Sequence, residues 1–231
     1  MSAVDLTGAR VLVTGATGVF GQGITRELVA RGALVTATGR NAEALAQLAH
    51  PSLTTVVADL RDPATATQVV AAAAERGGLD GVVHALGVVA FGPLEELDDA
   101  TLTELFETNF FAPLRVTRAA IPLLRASARG GFVANISAVV AENPVAGMTA
   151  YSASKAALTS ASRALARELR RDRIQVIDVR PPHTETGLAH RAICGQAPVL
   201  PTGLDPEVVV QRTIDAIVAG EREVASDQFV Q

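Results

Sequence analysis

Arg10-Val11-Leu12-Val13-Thr14-Gly15-Ala16-Thr17-Gly18-Val19-Phe20-Gly21 is the stretch on which the fold turns. Its first five residues read as a short β-strand, and an amphipathic helical pattern follows from about Val19 to Arg31. Glycines between a strand and a helix permit a tight turn and close backbone approach. The helix start then offers free N–H groups and a positive dipole end to a pyrophosphate. A plain strand-to-helix turn is the alternative reading of these glycines. Their place at the first β→α turn of an alternating chain favours phosphate.

Outward from this turn, further strand patterns cover Leu34 to Thr38, Thr54 to Ala58, Gly81 to Ala85, Gly131 to Ile136 and Ile174 to Val179. Helical patterns fall near 41–49, 63–76, 99–127, 151–171 and 205–219. Most of the strands are continuously apolar, as expected when helices cover both faces of a parallel sheet. The expected fold is α/β: a doubly wound, Rossmann-like parallel sheet in a three-layer α/β/α sandwich. No repeat or linker divides it, so residues 1–231 are read as one domain. Its cofactor-binding part covers about 1–130 and its catalytic and substrate part about 131–231. The irregular stretch from Pro181 to Pro206 is too long for an ordinary connection and is read as a mobile substrate loop.

Apolar residues make up 48% of the chain but aromatics only 3%, so the core must be built from Ala, Val and Leu. A net charge of −4 with interspersed signs offers no basic footprint for nucleic acid or an anionic membrane. The amino terminus lacks signal-peptide character and no stretch has membrane-spanning length, which points to a soluble, cytoplasmic protein. Cys194 is the only cysteine, and the four histidines show no ligand spacing, so no metal site is expected. The arginines at 167–173 end a helix, where its dipole favours cations.

Tyr151 is the only tyrosine and Lys155 the only lysine. Four positions apart on a helix, they share one face. An ammonium near a phenol lowers the phenol's pKa from about 10 toward the working range of an acid/base catalyst. An ordinary helix turn carrying both residues is the competing reading of these five residues alone.

With its glycine turn, Tyr151, Lys155 and length, the chain resembles the short-chain dehydrogenase/reductase family over most of its extent. The glycine pattern is T-G-x-x-G-x-x-G, with Val19 where the family usually has its second glycine. The resemblance puts the pyrophosphate over Gly15, Thr17, Gly18, Val19, Phe20 and Gly21. At the end of the second strand, Thr38-Gly39-Arg40 carries no acid to accept from a ribose 2′-hydroxyl. Arg40 instead suits a 2′-phosphate, and the expected cofactor is NADP(H). Stacking on adenine or facing solvent are the other readings of Arg40. Asp59 and Leu60 resemble the pair that contacts the adenine edge, although a capping or turn aspartate reads equally well.

His84-Ala85-Leu86-Gly87 stands where the family often has Asn-Asn-Ala-Gly. Ala85 and Gly87 would back the cofactor, and His84 reads as a hydrogen-bonded core histidine. Asn109 sits inside a helical pattern that asparagine does not favour. It matches the family's asparagine, which kinks the helix and holds a water relay to the lysine. A carbonyl-polarising serine is expected thirteen residues before the tyrosine, where this chain has Ala138. Ser137, its neighbour, is the provisional polariser, provided that the strand end bends or the loop carries an extra residue. Pro181, Thr184 and Thr186 would meet the nicotinamide carboxamide, and Lys155 its ribose. Val139, Pro144, Val145, Met148 and Leu188 could form an apolar wall or be ordinary packing.

These features describe an oxidoreductase interconverting a carbonyl and an alcohol on a small organic substrate, as a homodimer or homotetramer. A non-catalytic nucleotide-binding sensor or scaffold and a non-redox lyase or isomerase on the same fold are the alternatives.

Overall fold

The structure, a computed structural model, describes residues 4–229. In chain order its main elements are β1 (Arg10–Thr14), α1 (Val19–Ala30), β2 (Leu34–Gly39), α2 (Ala42–Ala46), β3 (Leu53–Val57), α3 (Thr65–Ala74) and β4 (Gly81–His84). There follow α4 (Asp99–Phe106), α5 (Ala112–Ala126), β5 (Phe132–Ile136), α6 (Thr149–Glu168), β6 (Gln175–Val179), α7 (Pro206–Ala219) and β7 (Glu223–Val224). All strands join one parallel sheet of order β3-β2-β1-β4-β5-β6-β7. β1 pairs with β2 on one side and β4 on the other, so the strand order reverses there. A crevice opens beyond the carboxyl ends of the strands at such a switch point.

Alternate residues of each central strand face opposite layers. Val11, Val13 and Val83 pack with Ile24 and Leu28 of α1 and with Ile214 and Ile217 of α7. Leu12, Val82 and Val133 pack with Val69 and Val70 of α3 and with Val116 and Leu124 of α5. Small residues let these layers close. A Cβ on Gly23 of α1 would lie 2.6 Å from Val210 Cγ2 of α7. A Cβ on Gly81 would lie 2.1 Å from the ring of Phe132, a fully buried aromatic in a core of mostly aliphatic side chains.

The helix expected over 99–127 is broken. α4 and α5 are joined by a π-helical turn, Glu107–Phe111, with Asn109 at its centre. The helix expected over 151–171 starts earlier, at Thr149, and ends at Glu168 in a 3₁₀ turn closed by Arg173 in the left-handed region, φ 57°. The helices expected near 41–49 and 63–76 are shorter than their patterns. β7 was not expected, because two residues are too few to show a period.

The 181–206 stretch is tied down on both sides rather than hanging free. Its start and end join through Glu185 N to Leu204 O and Leu204 N to His183 O, each 2.9 Å. Its middle joins the segment after β4 through Ile193 N to Val89 O and Phe91 N to Cys194 O, also 2.9 Å. Among the described residues, no helix is long and apolar enough to cross a membrane.

Candidate active site

A cleft of ≈ 990 Å³ runs across the carboxyl ends of the strands. Its wall includes Gly15, Thr17, Gly18, Val19, Phe20, Arg40, Asp59, Leu60, Ala85, Gly87, Ser137, Tyr151, Lys155, Pro181, Thr184 and Thr186. Gly21 and Asn109 stand behind that wall.

The glycine turn is shaped by three separate constraints. Gly15 has φ 72°, and a Cβ there would meet Leu86 N at 2.5 Å, so only glycine fits. Gly21 lets α1 seat against the turn, since its Cβ would lie 2.2 Å from Gly15 O. This gives it a packing role in place of the expected ligand contact. Gly18 caps α1 with ordinary extended angles, and a Cβ there would meet only Gly15 O, at 3.4 Å. No side chain caps the helix and no acid occupies its first turn. The bare helix start is therefore open to an anion from the cleft.

At the end of β2, Gly39 makes room for Thr17, whose Cγ2 would lie 2.9 Å from an added Cβ. Arg40 is exposed beside the cleft, with no carboxylate within ion-pair distance among the described residues. Asp59, across the cleft wall, is held by Arg61, with Nη2 to Oδ2 at 2.6 Å and backbone N to Oδ1 at 3.0 Å. These bonds keep its carboxyl below the usual range. Arg61 also donates to Glu104 at 2.9 Å. Sequence reasoning passed over Arg61, although it stands two residues after Asp59.

Tyr151 and Lys155 lie one turn apart on α6, and both are buried. Among the described residues nothing hydrogen-bonds the Tyr151 hydroxyl, while Lys155 Nζ donates to Ile136 O at 3.0 Å. The expected lowering of the phenol is opposed by its surroundings: burial raises Tyr151 above its ordinary value. Burial also lowers Lys155 to about 8, with Asp178 opposing the shift. In both cases desolvation disfavours the charged form. Gly87 leaves space for the ammonium, since a Cβ there would stand 3.3 Å from Nζ and 3.4 Å from Asn109 Oδ1.

Asn109 sits at the π turn, a distortion that recurs at functional sites. Its Oδ1 accepts from Val88 N at 2.9 Å, and its Nδ2 donates to Val88 O at 2.9 Å and Ser154 Oγ at 3.0 Å. The side chain thus clamps the segment after β4 to α6 directly. It is fully buried and does not face solvent.

The hydroxyl of Ser137 turns inward. Oγ accepts from Thr159 Oγ1 at 3.0 Å and lies 3.4 Å from Val179 O. Ser137 borders the cleft, but these partners direct its oxygen away from the substrate position expected for a polariser. Ala138, in extended conformation, faces the same wall without a donor. The strand end does not bend to exchange the two. Thr184 Oγ1 is likewise committed, donating to Pro182 O at 2.9 Å, while Thr186 Oγ1 accepts from Leu188 N at 3.3 Å.

Two buried polar groups lie near the site: His84, as the sequence reading expected of a core histidine, and Arg180, which carried little sequence signal. His84 bonds Thr14 Oγ1 at 2.9 Å and Thr117 Oγ1 at 3.0 Å, and burial lowers it to about 3, so it is a neutral core histidine. Arg180 pairs with Asp178 at 2.6 Å and with Glu223 at 3.0 Å, and also with Glu142. The network joins the end of β6 to the loop that follows Ala138.

Val88, Val89, Phe91, Val139, Met148 and Leu188 line the remaining end of the cleft beside Tyr151. A dinucleotide cradle at the switch point and a free phenol in front of an apolar bay define the class of a dinucleotide-dependent oxidoreductase. The family model described as short chain dehydrogenase matches residues 9–195. Ipsdienol dehydrogenase of Ips pini is 32% identical over 197 residues, spanning 79% of this chain and 77% of that protein. A short-chain dehydrogenase structure from Streptomyces avermitilis superposes with TM-score 0.84 at 31% identity, covering 94% of this chain and 88% of that one. A Burkholderia cenocepacia short chain dehydrogenase in complex with NADP gives TM-score 0.84 at 26% identity, covering 98% and 90%. The chain belongs to the short-chain dehydrogenase family, enzymes acting on CH–OH and C=O groups with a nicotinamide cofactor.

Proposed function

We propose that the protein is an NADP(H)-dependent oxidoreductase that interconverts a carbonyl and an alcohol on a small organic substrate. The observation that carries this reading is the unengaged Tyr151 hydroxyl at the cleft wall, one helical turn from the buried Lys155 ammonium. The cradle fits the cofactor: Gly15, Thr17, Gly18, Val19 and Phe20 would hold its pyrophosphate and Arg40 its 2′-phosphate. Asp59 and Leu60 would flank adenine. Ala85, Gly87 and Lys155 would back the nicotinamide ribose, with Pro181, Thr184 and Thr186 around the carboxamide.

When bound, NADPH supplies hydride to the carbonyl carbon, and NADP⁺ accepts it in reverse. Tyr151 gives its phenolic proton to the carbonyl oxygen in reduction and takes it back from the alcohol in oxidation. Burial raises the phenol above its ordinary value, so it carries the proton to be donated near neutrality. Lys155 stabilises the phenolate left after transfer and binds ribose. Asn109 fixes the Val88 segment against α6 and so shapes the lysine's surroundings. The apolar bay holds the body of the substrate and excludes water. A cytoplasmic homodimer or homotetramer, packed through the faces of α4, α5 and α6, completes the reading.

Arg40→Ala is expected to weaken NADPH binding by about 1.5–3 kcal/mol, roughly 10- to 150-fold, and to leave NADH within about twofold. Calorimetric titration of both cofactors checks this, and equal losses would remove the 2′-phosphate assignment.

The serine question has a paired test. Ser137→Ala is expected to cost about 1 kcal/mol of stability with little loss of turnover, because its hydroxyl serves Thr159. Ala138→Ser is expected to raise turnover by about tenfold. This is less than the 10²–10³ that loss of a preorganised donor costs, since nothing here orients the new hydroxyl. Steady-state kinetics of both variants decides it. A strong loss in Ser137→Ala would return Ser137 to the catalytic set.

Ala138 also favours a second reading, a sensor that binds the nucleotide without turning it over. Tight NADPH binding without consumption across a broad carbonyl panel would support it. Conversion of substrate with no net change in cofactor would instead support a lyase or isomerase.

A further inference from the structure

α6 sends two polar side chains toward the sheet one turn apart. Lys155 Nζ donates to Ile136 O at 3.0 Å. Thr159 Oγ1 donates to Ser137 Oγ at 3.0 Å and lies 3.3 Å from Asp178 Oδ1. The two side chains thus reach successive residues at the end of β5. Asp178 lies on the adjacent strand, where β6 pairs it with Asn135 of β5. Lys155 is 4% exposed and Asp178 1%, so two opposite charges share one dry layer beneath α6. Neither is part of a direct ion pair with the other, and Asp178 has no part in the chemistry described above.

The surrounding charges are few. On α6 the titratable neighbour of Lys155 is Tyr151. β5 offers only Asn135, Ile136 and Ser137, the π turn contributes neutral Asn109, and the segment after β4 contributes Gly87. Asp178 faces Arg180, which it meets at 2.6 Å. Arg180 is shared with Glu142 and Glu223, and Arg163 approaches Glu223 at 3.3 Å from the exposed side. Glu142 and Glu223 reach toward solvent, with side-chain exposures of 21% and 51%, so the charges within the buried layer are Lys155, Asp178 and Arg180. Burial raises Asp178 above its ordinary value, and Arg180 and Thr159 act against that shift to favour the carboxylate.

We propose that Asp178 is a positioning residue for Lys155: its carboxylate, fixed by Thr159 and Arg180, keeps the lysine side chain charged and seated at the cleft floor. The consequence for catalysis rests on the function proposed above, but the electrostatic relation does not. A fully buried lysine without a nearby anion can fall to a pKa of about 5–6. Here burial lowers Lys155 only to about 8, and Asp178 is the group acting against burial.

Because Lys155 is the only lysine, ¹³C-lysine labelling gives one side-chain Cε signal whose pH titration reads this site alone. The cofactor-free protein suffices, so absence of turnover would leave the result intact and count only against the proposed function. In the wild type the midpoint is expected near 8, and a midpoint near 5–6 would overturn the proposal. That measurement needs no variant to fold. Asp178→Asn, which keeps volume and an acceptor for Thr159, is expected to lower the midpoint by about one pH unit. Thr159→Val removes the hydrogen bond but keeps the charge, and is expected to shift the midpoint by much less. An unchanged midpoint in folded Asp178→Asn, or equal shifts in both variants, would overturn the proposal.

Discussion

Tyr151→Phe is expected to lower NADPH-dependent carbonyl reduction by about 10²–10⁴-fold, the usual range for a positioned general acid. The substitution removes one oxygen that is bonded to no described protein group, so fold and cofactor affinity should be unchanged. The ring keeps its packing against the apolar cluster that includes Val89, Phe91, Leu105 and Val140. Turnover and calorimetric NADPH binding on the same preparation separate the two effects. A rate within a few-fold of wild type would show that the proton comes from elsewhere. A parallel loss of cofactor binding would show that the phenol serves the site's structure.

Arg180→Met is expected to destabilise the protein by about 3–5 kcal/mol, the cost of removing one partner from a buried ion pair. Arg180 and Asp178 have side-chain exposures of 3% and 1%, so the remaining carboxylate would have no water to replace its partner. Methionine fills much of the space but leaves Asp178 with Thr159 as its remaining side-chain partner at this end. The damage should spread to the site, because Arg180 also holds Glu142 on the loop that follows Ala138. Urea denaturation monitored by circular dichroism measures the loss. A change under about 1 kcal/mol, typical of an exposed pair, would mean that the network is solvated. Replacing Asp178 as well should recover much of the stability, because no buried charge is then left alone.

The sheet was legible in the sequence because its central strands are short, apolar and punctuated by glycine turns. Each strand from the first to the sixth was placed within a residue or two. Helix ends were less legible. The 99–127 pattern is amphipathic throughout, and the π turn shifts the helical register without interrupting apolar periodicity. Asn109 was the only mark of it, and its hydrogen bonds to Val88 and Ser154 depend on tertiary placement.

At the site, motif positions such as Tyr151, Lys155 and the glycine turn emerged because their chemistry follows local spacing. The Ser137 side chain could not be oriented that way, because its direction depends on Thr159 and Val179, 22 and 42 residues further on. The same holds for Asp178 and Arg180, whose pairing with Glu142 and Glu223 exists only once β6, β7 and the loop carrying Glu142 are brought together. The expected depression of the phenol failed for a related reason. Spacing along a helix gives the proximity of a cation but not the desolvation of both groups.

The most direct test of the proposed chemistry is cofactor consumption with product analysis. Purified protein is incubated with NADPH and a panel of uncharged aliphatic and alicyclic ketones and aldehydes, chosen to suit the apolar bay. The proposed chemistry predicts, for at least one compound, alcohol formed in equal amount to the NADPH consumed, with NADH much less effective. Tight NADPH binding with no NADPH consumed and no alcohol formed across that panel would contradict it.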